Sequence, residues 1–129
     1  MGEGIVLRRA HFPGRAPVDA YGNGGFRFAE MSHRGSILCL PSGIHGWEPG
    51  DAGALRLEDF ERVFQQAEKI EILLVGTGTE LKPLPSAMRQ AFREAGISAD
   101  PMSTGAAVRT YNVLLAEDRA VAAALVAID

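Results

Sequence analysis

The sequence predicts an α/β domain, and three observations carry that prediction. Ile72 to Val75 are four consecutive apolar residues, too few for a helix, and read as a strand buried on both faces. The run stops at Gly76-Thr77-Gly78, and helical periodicity resumes within ten residues, so strand, glycine turn and helix form half of a βαβ unit. A second wholly apolar run, Ala120 to Ile128, follows another helical stretch. Ligands in open α/β sheets usually bind beside turns such as Gly76–Gly78.

The 129 residues suit a single domain covering 1–129, able to bury roughly two thirds of its unfolded surface. A net charge of −3, with scattered basic residues, argues against a nucleic-acid partner, although folding could still gather a local basic patch. The one cysteine, Cys39, lies in the apolar run Ile37–Leu40; it allows no internal disulfide and fits a small core residue better than a nucleophile. The N-terminal residues lack the apolar core of a signal peptide, and Val6 stands where a myristoylation signal needs Ser or Thr. No apolar run is long enough to span a membrane. The expectation is a soluble, cytoplasmic protein.

Residues 5–8 suggest a short strand, which the prolines and glycine of residues 11–17 cannot continue. Tyr21–Gly25 is a turn, because glycine and asparagine accept positive φ readily. Residues 26–30 alternate apolar and polar side chains and read as a half-exposed strand. Ser36–Leu40 is a more apolar one, and the two are expected to pair as a hairpin. Pro41–Gly50 reads as a loop. It carries Trp47, which either covers the end of the core, the favoured reading, or lies on a partner surface.

Leu57–Lys69 has helical spacing in Phe60, Val63, Phe64 and Ala67, with acids near its start. After Pro83 and Pro85 comes a helix with Met88, Ala91, Phe92 and Ala95 on one face, which Gly96 is placed to end. Ile97–Met102 is a strand whose Pro101 favours an edge. Thr104 is the expected cap of a third helix striped by Ala107, Val108, Tyr111 and Leu115. Alanine propensity would make the last run helical, but it is apolar all round and short, so a central strand is expected.

The glycine turn is the best site candidate. Gly76, Thr77, Gly78 and Thr79 could offer backbone amides to an anion, and the helix after Pro85 its N-terminal partial charge. Leu81 occupies the third-glycine position of a dinucleotide fingerprint, and Lys82 is followed by proline, so neither nucleotide motif is complete. A close turn beneath a helix is the stronger alternative. Ser103 and Thr104 fall at a strand-to-helix junction that parallel strands would bring near the turn. Thr110, Tyr111 and Asn112 set three hydrogen-bonding groups within one helical turn, where asparagine is disfavoured. Either a cleft network or a packed tyrosine explains them. His11, His33 and His45 show no metal-ligand spacing, and Ser42-Gly-Ile-His45 lacks a nucleophile elbow. No cofactor or metal is implied, and no acid, base or nucleophile set can be assigned.

Tyr21-Gly-Asn-Gly-Gly-Phe26, the Gly76–Gly78 turn, and Met102–Thr104, Ala107, Thr110–Leu114, Glu117–Arg119 and Leu125 together resemble a small family of uncharacterised domains. It includes bacterial and archaeal proteins, the adipogenesis-associated domain protein and the third assembly factor of mitochondrial respiratory complex I. The resemblance runs from about Ile5 to Ile128. It implies a three-layer fold with a central mixed five-stranded sheet, one strand antiparallel, beside the N-terminal β-hairpin. It carries no catalytic residues. It implies help in assembling a membrane-bound respiratory complex, with membrane-complex subunits or insertion machinery as partners. Lacking an Arg- and Ser-rich leader, the chain looks like a bacterial member. The favoured reading is a binding module docking on a partner protein. The competing one is an anionic-metabolite protein or enzyme using the Gly76–Gly78 turn, and self-association would leave similar traces.

Overall fold

A computed structural model describes residues 12–129, so the strand expected at 5–8 lies outside the described residues. The strands are β1 (Phe12–Pro13), β2 (Val18–Gly22), β3 (Gly25–Phe28), β4 (Met31–Arg34), β5 (Ser36–Leu40), β6 (Gly43–Trp47), β7 (Ile72–Gly76), β8 (Ser98–Met102) and β9 (Val121–Leu125). The α-helices are α1 (Glu61–Gln65), α2 (Ser86–Glu94) and α3 (Thr104–Ala116). One sheet has six strands in the order β1-β6-β5-β9-β7-β8, and a second has three, β2-β3-β4. β7, β8 and β9 are parallel, whereas β5 runs against both β9 and β6, and β1 against β6. The expected five-stranded sheet with one reversed strand is therefore corrected to six with two reversed, the sixth being the two-residue β1. Gly43 admits β1, since a Cβ there would fall 2.1 Å from the Phe12 carbonyl oxygen.

The expected hairpin between residues 26–30 and Ser36–Leu40 does not form. β3 pairs with β2 through a turn at Asn23 (φ 54) and Gly24 (φ 79), as the Asn-Gly signature requires. It pairs with β4 through a second left-handed turn at Ala29 (φ 50) and Glu30 (φ 62). β5 crosses to the large sheet and pairs with β6 and β9. Half of the Pro41–Gly50 segment expected as a loop, Gly43–Trp47, is thus strand.

Alternation divides the core in two. Leu38, Leu40, Leu73, Val75, Ala122 and Ala124 face one side, packing with Phe60, Val63, Met88 and Phe92. Phe92 makes an edge contact with Phe60 (5.1 Å between centroids) and stacks on Phe64 (4.9 Å). Ile37, Cys39, Leu74, Val121, Ala123 and Leu125 face the other side, under α3 and the small sheet, which contribute Ala107, Val108, Tyr111, Val18, Phe26 and Phe28. The continuous helix expected over Leu57–Lys69 is corrected to α1 flanked by 3₁₀ turns at Leu57–Phe60 and Ala67–Lys69. The last run is the expected central strand, buried throughout β9.

β8 is an edge strand. Ser98 N–H donates to Glu71 O and Met102 O accepts from Thr77 N–H, so residues 98 and 102 bond inward and Pro101 presents its missing donor outward.

Candidate functional site

The end of β7 meets the start of α3 without any room to spare. A Cβ on Gly76 would lie 3.0 Å from Thr104 Cα and 3.0 Å from Leu125 Cδ2, so glycine lets helix and strand touch. Thr77 N–H donates to Met102 O (2.8 Å), and Thr104 N–H donates to Gly78 O (2.8 Å). Thr104 Oγ1, fully buried, donates to Val126 O (2.7 Å) and accepts from Gly78 N–H (3.0 Å). Ser103, and not Thr104 as expected, caps α3, accepting at Oγ from Ala106 N–H (3.3 Å). Thr104 is instead the knot that ties turn, helix and β9 together.

This geometry limits what the turn can do. Thr77 Oγ1 accepts from Lys82 N–H (2.9 Å) and donates to Glu80 O (2.7 Å), folding residues 77–82 back on themselves. The amides of Thr77, Gly78 and Lys82 are therefore all spent on protein acceptors. Thr79 and Leu81 stand exposed above them.

Asn112 and Tyr111 diverge. Asn112 Oδ1 accepts from Val18 N–H (2.9 Å) while Nδ2 donates to Val18 O (2.8 Å), clamping β2 to the helix. At the other end of β2, the Tyr21 hydroxyl lies 2.5 Å from where a Cβ on Gly105 would stand. Three strand residues and seven helical ones each span about 10 Å, so β2 lies along α3 in register with both contacts. Tyr111 points into the core and bonds to the Cys39 thiol. Burial pushes the Cys39 thiol up from 9.0 to about 12, and burial, then the neighbouring thiol, raises the Tyr111 phenol. Neither ionises near neutrality. Thr110 is half-buried beside them.

Trp47 lies in β6, 8% exposed, tilted against Phe60 at 5.3 Å, with Nε1–H donating to Asp59 O (2.7 Å). It is separate from the glycine turn's hydrogen-bonded knot. Sequence reasoning noted Ser42 near His45 but missed the Gln66 and Arg62 that join them in a polar cluster nearby. Gln66 accepts from Ser42 N–H (3.0 Å) and donates to Ser42 Oγ (2.7 Å), which lies 3.0 Å from His45 Nε2. A serine–histidine dyad needs an acceptor orienting Nδ1. Here Arg62 Nη1, a donor, lies 3.5 Å from it. Among the described residues no three metal-ligating side chains come together. Sequence reasoning also missed a groove of about 420 Å³ on the small sheet, lined by Tyr21, Arg27, Ser32, His33 and Arg34 among others.

Residues 18–126 match the family described as proteins of unknown function (DUF498/DUF598). The crystal structure of an outer membrane protein from Bartonella henselae is similar, at 62% identity and a TM-score of 0.89, covering 92% of this chain and all of its own. An uncharacterised Rhodobacter capsulatus protein is 37% identical over 94% of this chain and 92% of its own length. The mouse NADH dehydrogenase [ubiquinone] 1 alpha subcomplex assembly factor 3 is 31% identical over 95% of this chain, which spans 66% of that factor's length. No helix among the described residues is long and apolar enough to cross a membrane.

Proposed function

The chain belongs to the DUF498/DUF598 family of unknown function, and from that premise we propose that it is a non-catalytic accessory factor acting through protein–protein contacts. Its task on this reading is assembly of a respiratory membrane complex, complex I, worked from the cytoplasmic side with complex subunits or insertion machinery as partners. The observation that carries the proposal is the 31% identity to the mouse assembly factor across nearly the whole chain. The spent amides of Thr77 and Gly78 support it, because an anionic metabolite there would find those two donors engaged. The same packing favours the turn as a joint over the turn as a pocket.

The test is affinity purification of the cross-linked protein from its own cells, with membrane and soluble fractions analysed separately. Recovery of complex I subunits or insertion factors is the expected result. Recovery of nothing specific from either fraction would overturn the proposal.

A further inference from the structure

We propose that the outer face of the three-stranded sheet is a docking site for an extended acidic segment of a partner protein, gripped by Arg27 and Arg34. This deepens the accessory-factor reading and rests on it.

The groove arises from the strand pattern. Phe26 and Phe28 turn into the core, so Arg27 between them faces out, and register places Ala20 and Ser32 on either side of it. Gly22, Gly25 and Arg34 form the next row on the same face. Alanine, serine and glycine leave a low floor. Gly25 must stay glycine, since a Cβ there would lie 2.2 Å from the His33 carbonyl oxygen. The two arginines therefore stand over a depression that no side chain fills.

Charge makes the depression selective. The chain as a whole is acidic, with 16 carboxylates against 13 Lys and Arg, yet no Asp or Glu among the described residues lines this groove. Ion pairs among the described residues engage Arg15, Arg56, Lys82 and Arg119, but neither Arg27 nor Arg34. Like charges on neighbouring strands repel. Two exposed arginines at diagonal positions, without an ion-pair partner among the described residues, are explained by a counter-ion that comes from outside.

Spacing selects the occupant. Arg27 and Arg34 are diagonal neighbours across β3 and β4, a separation of about 7 Å at Cβ. Alternate side chains of an extended peptide repeat at about 7 Å, so two carboxylates at i and i+2 meet two guanidiniums, each able to bind bidentately. A single compact anion matches that spacing less well.

The test places a photo-cross-linking amino acid at Ser32 in the groove and, in separate chains, at Leu81 and Val113 outside it. The full-length protein is irradiated in its own cells, and the cross-linked peptides are sequenced by mass spectrometry. The expected result is a partner segment with carboxylates at alternate positions, captured from Ser32 and reduced about tenfold by R27E/R34E and by the milder R27Q/R34Q. Both double variants should melt no lower than the parent, since these side chains are exposed. A synthetic copy of the captured segment should bind in vitro, and its Glu-to-Gln version about tenfold more weakly. Capture from Leu81 or Val113 alone would overturn the groove and leave the accessory-factor reading standing. Capture from no position would overturn both. Capture indifferent to the arginine variants, or of a segment without carboxylates, would refute the charge argument. Displacement of the peptide by inorganic phosphate at constant ionic strength would assign the groove to a small phosphate anion instead.

Discussion

Replacing Thr104 with valine tests whether the turn, helix and last strand are held by one hydroxyl. Valine keeps the shape and removes the oxygen, leaving Val126 O without its donor and Gly78 N–H without its acceptor. A buried group stripped of its partner costs about 1–3 kcal/mol. Gly78 is only half-buried, so water can partly replace the lost acceptor, and the sum is about 2–3 kcal/mol. For a chain of this length that lowers Tm by roughly 6–15 °C. Thr104→Ser keeps the hydroxyl and loses a methyl, costing about 1 kcal/mol. Urea unfolding followed by circular dichroism ranks the two. If packing alone mattered, the order would reverse, and a Thr104→Val protein within about 0.5 kcal/mol of the parent would refute the hydrogen-bond argument.

Four further outcomes are expected. Asn112→Ala removes both bonds to Val18 and should cost about 2 kcal/mol, with amide exchange accelerated in β2 to β4 and not in β7 or β9; uniform acceleration would argue against a local clamp. Trp47→Phe forfeits the bond to Asp59 O and should lower stability by about 1–2 kcal/mol in urea titration, so an unchanged midpoint would show the bond to be idle. Cys39 holds its proton more tightly folded than unfolded, so its contribution is complete below about pH 9 and drains away as pH climbs toward 12, with Tyr111 acting in the same direction. Urea titrations from pH 7 to 11 should show stability falling at the alkaline end, less steeply in Cys39→Ala, and a thiol reagent at pH 8 should leave the folded protein unmodified; rapid labelling would contradict the burial. Pro101→Val restores an outward N–H on the edge of β8, and sedimentation should then reveal stronger concentration-dependent self-association than in the parent, an unchanged profile refuting the edge argument.

Legibility followed chemistry that leaves a local mark. β7 and β9 were readable because strands covered on both faces need unbroken apolar runs, and the Asn23-Gly24 turn because its residues tolerate left-handed backbone. The Ala29-Glu30 turn has the same backbone and none of those residues, so the β3–β4 pairing was invisible and β5 was assigned the wrong neighbour. β6 hid behind two glycines, one of which marks the approach of β1 rather than a loop. Asn112 was conspicuous inside a helix, but its partner, Val18, is 94 residues away in sequence. At the glycine turn the residue types were right for an anion. Only three-dimensional bonding reveals that Thr104 and Met102 already occupy the amides. The alternation around Arg27 marked an exposed face, while the grouping with Arg34 depended on the unseen turn.

The position of β9 has a consequence for how the molecule is made. It is the last strand along the chain and lies between β5 and β7, separating the β1-β6-β5 half of the sheet from β7-β8. Until it arrives, each half presents an open edge, and no contact between neighbouring strands joins them. Synthesis runs from the N-terminus, so the halves must wait for residues 121–125 to leave the ribosome before the sheet can close. Completion of the sheet is thereby coupled to the arrival of residues 121–125, and a chain arrested before them would be two exposed half-sheets, a substrate for chaperones and proteases.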